Sequence, residues 1–210
     1  MNSMNTRVAV GCLLAGVLLL GGCVFNPWAP PPVFPIAQEN LIVNGDAENN
    51  GLGWHFSSPD AIIDTGYSIN PTFGIRNDAF LRQTVDLGIP LTGYVVVMSE
   101  TASETIGPTG VGRIWGDFID LVDPQLVVGT FDSPDLTGTA VFPHQLALLT
   151  DYFLIPNDVG AIVLYLANTE VQGVPHDGSL TFFDDVELWI VETEQEAIQL
   201  IADYKAARMP

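Results

Sequence analysis

Basic residues are what this chain lacks most. Its 210 residues hold 6 Lys plus Arg against 25 Asp plus Glu, a formal net charge of -19. So acidic a surface repels a phosphate backbone, which excludes nucleic acid as a direct partner. Charged residues are only 15% of the chain, so the acidity reflects missing bases rather than acidic runs. That excludes a disordered acidic tail. The apolar run Val8 to Leu20 is too short to cross a bilayer core, which needs roughly 20 residues. Catalytic signatures are missing too: there is no Gly-x-Ser-x-Gly elbow, His-Glu-x-x-His pair, P-loop or dinucleotide fingerprint. His55, His144 and His176 are scattered. Asp184 and Asp185 are adjacent in an expected strand and would face opposite sides, which argues against paired glycosidase acids. These absences point away from an enzyme.

What is present begins with an address. Arg7, the apolar run and the small residues Gly21 and Gly22 read as an export signal over residues 1–22. Leu20-Gly21-Gly22-Cys23 resembles the lipobox of bacterial lipoproteins. The resemblance implies cleavage before Cys23, a lipid on that cysteine, and a membrane anchor without a spanning helix. The alternative is an ordinary secretory signal that happens to hold a cysteine. On the lipoprotein reading Cys12 is discarded, and loss of Arg7 leaves a mature charge of -20. The mature chain then has no cysteine for a disulfide, so core packing or metal must hold the domain. Val24, rather than Asp, after the cysteine implies the outer membrane of a bacterial cell envelope. Residues 23–39 carry Pro27, Pro30, Pro31, Pro32 and Pro35 and read as an extended stalk. Phe25, Trp28 and Phe34 within it suit a membrane-proximal position.

Residues 40–193 read as strands. Short apolar runs fall at Asn40–Val43, Ala61–Asp64, Phe80–Leu87, Gly93–Ser99, Gly112–Leu121, Gln125–Thr130, Leu146–Leu154, Ala161–Ala167 and Leu180–Val191. Asn-Gly, Gly-Ile-Pro, Asp-Ser-Pro, Ile-Pro-Asn-Asp and His-Asp-Gly clusters punctuate them. Many short strands without helical crossovers predict an all-β antiparallel β-sandwich. Residues 194–210 predict a short C-terminal α-helix with Ala197, Ile198, Ile201 and Tyr204 on one face.

One resemblance covers residues 40–192. The opening Asn40-Leu41-Ile42-Val43-Asn44-Gly45-Asp46-Ala47-Glu48 is followed by Gly53-Trp54. Leu81-Arg82-Gln83-Thr84-Val85-Asp86-Leu87 and Asp151-Tyr152-Phe153-Leu154-Ile155-Pro156 come next, and Phe182-Phe183-Asp184-Asp185-Val186-Glu187-Leu188 closes the series. In that order these resemble galactose-binding-like jelly rolls, notably bacterial carbohydrate-binding modules. Ala47 stands where the family often has Phe. The resemblance implies a structural calcium site lined by the first and last motifs. Asn44, Asp46 and Glu48 place oxygen-bearing side chains at alternate positions, and Asp184 alternates with Phe182, Val186, Leu188 and Ile190. A buried carboxylate needs a partner, and neither motif holds a nearby Lys or Arg. Ca²⁺ on Asp46, Glu48 and Asp184, with backbone carbonyls, would satisfy them. The alternative is that these carboxylates accept backbone N–H bonds in turns, with no metal.

For a glycan, the best cluster is Arg113, Trp115 and Asp117, which share one face of a strand at period two. Tyr67 and Phe73 are expected in a loop rimming a cleft. An Arg113–Asp117 surface pair would explain the same pattern without a ligand. Trp54 and Trp189 are expected in the core. The chain therefore reads as a membrane-anchored, non-catalytic binding module with carbohydrate as its ligand class. A structural lipoprotein holding another envelope protein is the second reading, and a hydrolase with dispersed carboxylates the third. Replacing Cys23 tests the anchor: Cys23→Ala should move the protein from the membrane fraction to the soluble fraction.

Overall fold

Alternating burial along successive strands builds two layers. The computed structural model of the chain describes residues 39–65, 70–103, 111–133, 147–169 and 178–208. The leader, the stalk, Tyr67, His144 and His176 lie outside these residues. Ten strands are described: β1 (His55–Phe56), β2 (Ala61–Asp64), β3 (Thr72–Ile75), β4 (Phe80–Asp86), β5 (Tyr94–Ser103), β6 (Val111–Asp120), β7 (Val127–Asp132), β8 (Ala147–Leu154), β9 (Val159–Thr169) and β10 (Thr181–Val191). Helix α1 (Glu194–Arg208) follows. One sheet has the order β1-β4-β9-β6-β7 and the other β2-β3-β10-β5-β8. All pairings are antiparallel. The predicted antiparallel sandwich with a C-terminal helix is the observed architecture.

The core lies between the sheets. Leu81, Val85, Ile114, Phe118, Ile162, Leu164 and Leu166 from one layer meet Phe73, Ile75, Val95, Val97, Phe183, Leu188 and Ile190 from the other. A period-two strand presents one face inward, and these residues occupy it.

Strand β5 is buried on both faces. Val95 and Val97 join the main core, whereas Val96 and Met98 join a second cluster with Ala197 and Tyr204 of α1. The helix therefore covers the β10, β5 and β8 part of the outer face of the β2-β3-β10-β5-β8 sheet. Its start is fixed by a capping box. The Thr193 hydroxyl accepts from Glu196 N–H at 3.2 Å, and Glu196 Oε2 accepts from Thr193 N–H at 2.9 Å. The buried face is Ala197, Leu200, Ile201 and Tyr204. Ile198, expected on that face, is exposed. It lies one residue round the helix, on the solvent side.

The opening segment departs from expectation. Residues 40–43 are not a strand but a brace between the layers. Leu41 N–H donates to Leu188 O at 2.8 Å, and Val186 N–H donates to Gly45 O at 3.0 Å. On the other layer the buried Gln83 amide accepts from Val43 N–H at 2.7 Å and donates to Val43 O at 2.9 Å. Asn44 has φ +55°, a left-handed conformation Asn tolerates better than most residues. Its carbonyl accepts from the Trp54 indole at 3.1 Å, and Trp54 packs on Phe73 with centroids 5.0 Å apart. Thus Asn-Gly and Trp in the opening motif act as one unit.

Two strands escaped the sequence reading, the two-residue β1 and β3. Phe73, assigned to a cleft rim, lies in β3 and is fully buried. Its run, Thr72-Phe73-Gly74-Ile75, is short and carries a glycine, so it lacks a strand pattern. Pairing with β2 and β10 makes it a strand.

Gly45 has no room for a side chain: a Cβ there would lie 2.0 Å from Val186 O. Because the obstacle is backbone in a paired strand, Gly45→Ala should destabilise the domain by about 3 kcal/mol. Urea denaturation checks this; an unchanged midpoint would contradict the brace.

Candidate functional site

The layers differ in what covers them. Helix α1 lies on one, and the outer face of the β1-β4-β9-β6-β7 sheet carries the polar and aromatic side chains. Strand register arranges this face in rows. Phe80, Ala167 and Arg113 form one row, and Arg82, Tyr165, Trp115 and Asp132 the next. Thr84, Val163, Asp117 and Thr130 form the third, and Asp86, Ala161 and Ile119 the fourth. The expected sharing of one face by Arg113, Trp115 and Asp117 is therefore observed.

At the centre stand Trp115 and Tyr165, with centroids 3.8 Å apart and ring planes within 3°. They are direct cross-strand partners, so the stacking direction runs from strand to strand. The two rings therefore stand on the sheet as a fin aligned with the strands. Each gives one face to the other. Phe80 meets Tyr165 edge-on at 5.6 Å, while the second face of Trp115 turns toward β7.

Charged groups flank the fin. Arg113 makes a two-pronged ion pair with Asp132 across the strands. That fork geometry fixes the planar guanidinium beside Trp115. The Tyr165 hydroxyl titrates above its usual range, through burial and the Asp117 carboxylate, with Arg82 opposing. A fixed pair of donors and acceptors beside aromatic rings can exchange hydrogen bonds with hydroxyl groups while the ring receives C–H groups. Sequence reasoning missed Phe80, Arg82, Tyr165 and Asp132. The alternation of β4 and β9 exposes the first three in outline, but only strand order puts them beside Trp115.

The second constellation is acidic. Asp184 was expected to point with Val186, Leu188 and Ile190. A bulge between Asp184 and Glu187 breaks that alternation, with Asp185 at φ +47°. The inserted residue flips the parity of the strand. Asp184 therefore sits opposite Glu100 on the helix-covered face. Burial pushes Asp184 up to about 7; the Asp185 N–H opposes the shift, and the carboxylates of Asp185, Glu100 and Asp46 add to it. Arg208 from the end of α1, absent from the sequence reading, supplies the cation. It contacts Glu100 at 3.0 Å and both Asp185 and Glu187 at 3.3 Å, and stacks over Tyr204 with 3.8 Å to the centroid.

Of the expected calcium ligands, Asp46 is exposed and turns Oδ1 back to accept from Glu48 N–H at 3.3 Å. Glu48 is exposed as well. Among the described residues no three Asp, Glu, His or Cys side chains converge on a point that a metal could occupy. Asp46 nevertheless lies close enough to Asp184 for its carboxylate to add to the rise there. Trp54 is buried as expected, whereas Trp189 is half-buried beside the helix and donates to Glu187 Oε2 at 2.7 Å.

No family model matches the chain, and no curated protein matches it. Solved structures do. The CBM22-1 xylan-binding domain of Paenibacillus barcinonensis Xyn10C is similar with a TM-score of 0.50 at 11% identity, covering 76% of this chain and 99% of that one. The CBM22-2 xylan-binding domain of the same protein gives a TM-score of 0.50 at 13% identity, covering 70% and 97%. TmCBM61, solved with beta-1,4-galactotriose, gives 0.46 at 17% identity, covering 73% and 99%. The chain has the β-sandwich fold of carbohydrate-binding modules.

Asp184 generates a pH prediction. Its folded pKa lies above the unfolded value, so the native state holds the proton more tightly. Stability from this group is present below about pH 4 and is lost as pH rises toward 7. In chelator-containing buffer, Asp184→Asn should therefore gain stability relative to the parent as pH rises through that window. A difference in melting temperature that does not change with pH would contradict the assignment.

Proposed function

We propose that the chain is a membrane-tethered, non-catalytic carbohydrate-binding protein, with the open sheet face as its binding surface. The upright Trp115–Tyr165 fin carries the reading, flanked by the Arg113–Asp132 pair, Arg82 and Asp117. A pyranose needs an apolar platform for its C–H face and fixed polar groups for its hydroxyls, and this face offers both. The fold supports the reading, because the two similar structures with a TM-score of 0.50 are xylan-binding domains.

Fin geometry narrows how a sugar would sit. The faces that Trp115 and Tyr165 share are closed to ligand, and Phe80 stands edge-on to Tyr165. The remaining platform is the side of Trp115 turned toward edge strand β7. A sugar ring there lies over Thr130 and Asp132, with hydroxyls in reach of the Arg113–Asp132 pair. Its chain runs along the strands rather than across them. The tether is the lipid on Cys23, read from the lipobox; it keeps the module at the cell envelope, where it can hold a polysaccharide against the surface.

A glycan array that includes xylan tests this. Trp115→Ala should weaken binding about tenfold or more, equivalent to ~1.4 kcal/mol. Trp189→Phe, on the helix-covered face, should leave binding unchanged. If the parent binds no glycan, the reading fails and the assembly role, holding another envelope protein, takes its place.

A further inference from the structure

The Trp115–Tyr165 fin divides the open sheet into two sides, and the platform on Trp115 belongs to the side toward β7. The other side holds Arg82. Its row continues outward to His55, the direct cross-strand partner of Arg82 on β1. Directly paired residues share a face and bring their Cβ atoms to about 5 Å. Both residues are exposed, and so is Thr84, two residues along β4 on the same face. A guanidinium, an imidazole and a hydroxyl thus stand together, with Tyr165 as the other cross-strand neighbour of Arg82.

The charges of this face are matched except at Arg82. Asp132 is taken by Arg113, and Asp86 Oδ1 accepts from Gly88 N–H at 3.0 Å. Asp117 and Arg82 reach the Tyr165 hydroxyl from the strands on either side of β9. Among the described residues no carboxylate lies within ion-pair distance of Arg82, whereas Arg113 and Arg208 are both paired. The chain has 25 acids to 6 bases, so an exposed guanidinium without a carboxylate is the opposite of what chance placement gives.

We infer that the β4 side of the fin is a subsite for the carboxylate of an acidic sugar, held by Arg82 with His55 and Thr84 beside it. This rests on the reading of the open face as a glycan surface and names the class of glycan: one carrying uronic acid. A guanidinium presents a planar fork that matches a carboxylate with two parallel hydrogen bonds. The imidazole supplies an N–H in either protonation state, and the Thr84 hydroxyl supplies a further donor. A neutral sugar hydroxyl uses only part of that set. Trp115 and Arg82 lie two strand spacings apart, about 10 Å. A backbone sugar on Trp115 can therefore carry a branching uronic acid over the fin to Arg82. The net charge of -19 does not forbid an acidic ligand. Repulsion from carboxylates further than about 8 Å is largely screened at physiological salt. Asp86 stands four residues along β4 from Arg82, about 13 Å away by strand rise.

A matched pair of ligands tests this on the full chain: a xylo-oligosaccharide bearing a glucuronic acid branch, and the same molecule with that carboxyl reduced to the alcohol. Calorimetric titration at about 0.15 M salt should show the acid form binding about tenfold tighter than the alcohol. Arg82→Gln should bring that ratio to about one, and raising salt to about 1 M should shrink it in the parent. A parent that binds both forms equally, or prefers the alcohol, overturns the carboxylate subsite while the glycan surface stands. A preference that survives Arg82→Gln overturns the assignment to Arg82. A parent that binds neither form also overturns the subsite; only a silent glycan array overturns the surface reading itself.

Discussion

Packing of the C-terminal helix onto strands β5, β8 and β10 is the interaction on which the functional reading depends. A two-layer sandwich has two outer faces, and each is available to a ligand unless something covers it. Here Val96 and Met98 point away from the main core and are buried by Ala197 and Tyr204 of α1. Arg208 adds electrostatic closure by bridging Glu100, Asp185 and Glu187 at the far end of the helix. With that region covered, the proposed ligand surface lies on the outer β4-β9-β6-β7 face. The helix is thus an integral part of the domain and not an appendage.

On the open face, register does the organising. Trp115 stacks on Tyr165 because the two are directly opposite on neighbouring strands. The Arg113–Asp132 pair fixes the guanidinium on the same face as Trp115. A preformed arrangement loses little side-chain entropy when a sugar arrives, which favours affinity from a small number of contacts. Nothing in this arrangement needs the protein's overall acidity. The lack of bases is felt locally instead: with so few Lys and Arg, Arg82, Arg113 and Arg208 each occupy a structured position rather than a random surface one.

Much of the sandwich was legible in the sequence because strands with one buried face write their period directly. Ala61–Asp64 was placed to the residue, and most other strands differ by a few residues at their ends. The Arg113, Trp115 and Asp117 face was legible for the same reason. What was not legible depends on distant pairing. The run at β3 has no pattern of its own, so Phe73 looked like a loop residue although it sits in the core. The bulge at Asp185 reversed the direction assigned to Asp184, since alternation cannot be carried across an inserted residue. Arg208 could not be foreseen as a counterion to strands β5 and β10, because its reach is set by where the helix lands. Tyr165 is a site residue only through the order of strands in the sheet.

The central claim is that the open sheet face binds glycan while the helix-covered face does not, and the tryptophan indole N–H resonances test it most directly. Trp54 and Trp189 donate to protein acceptors, Asn44 O and Glu187 Oε2, and neither lies on the open face. Titration with xylan oligosaccharides is predicted to move the Trp115 indole resonance together with the backbone amides of Thr130, Asp132 and Tyr165, leaving those of Trp54 and Trp189 in place. Shifts confined to Trp189 and the α1 amides, or a silent Trp115 in the presence of a bound sugar, would contradict the account.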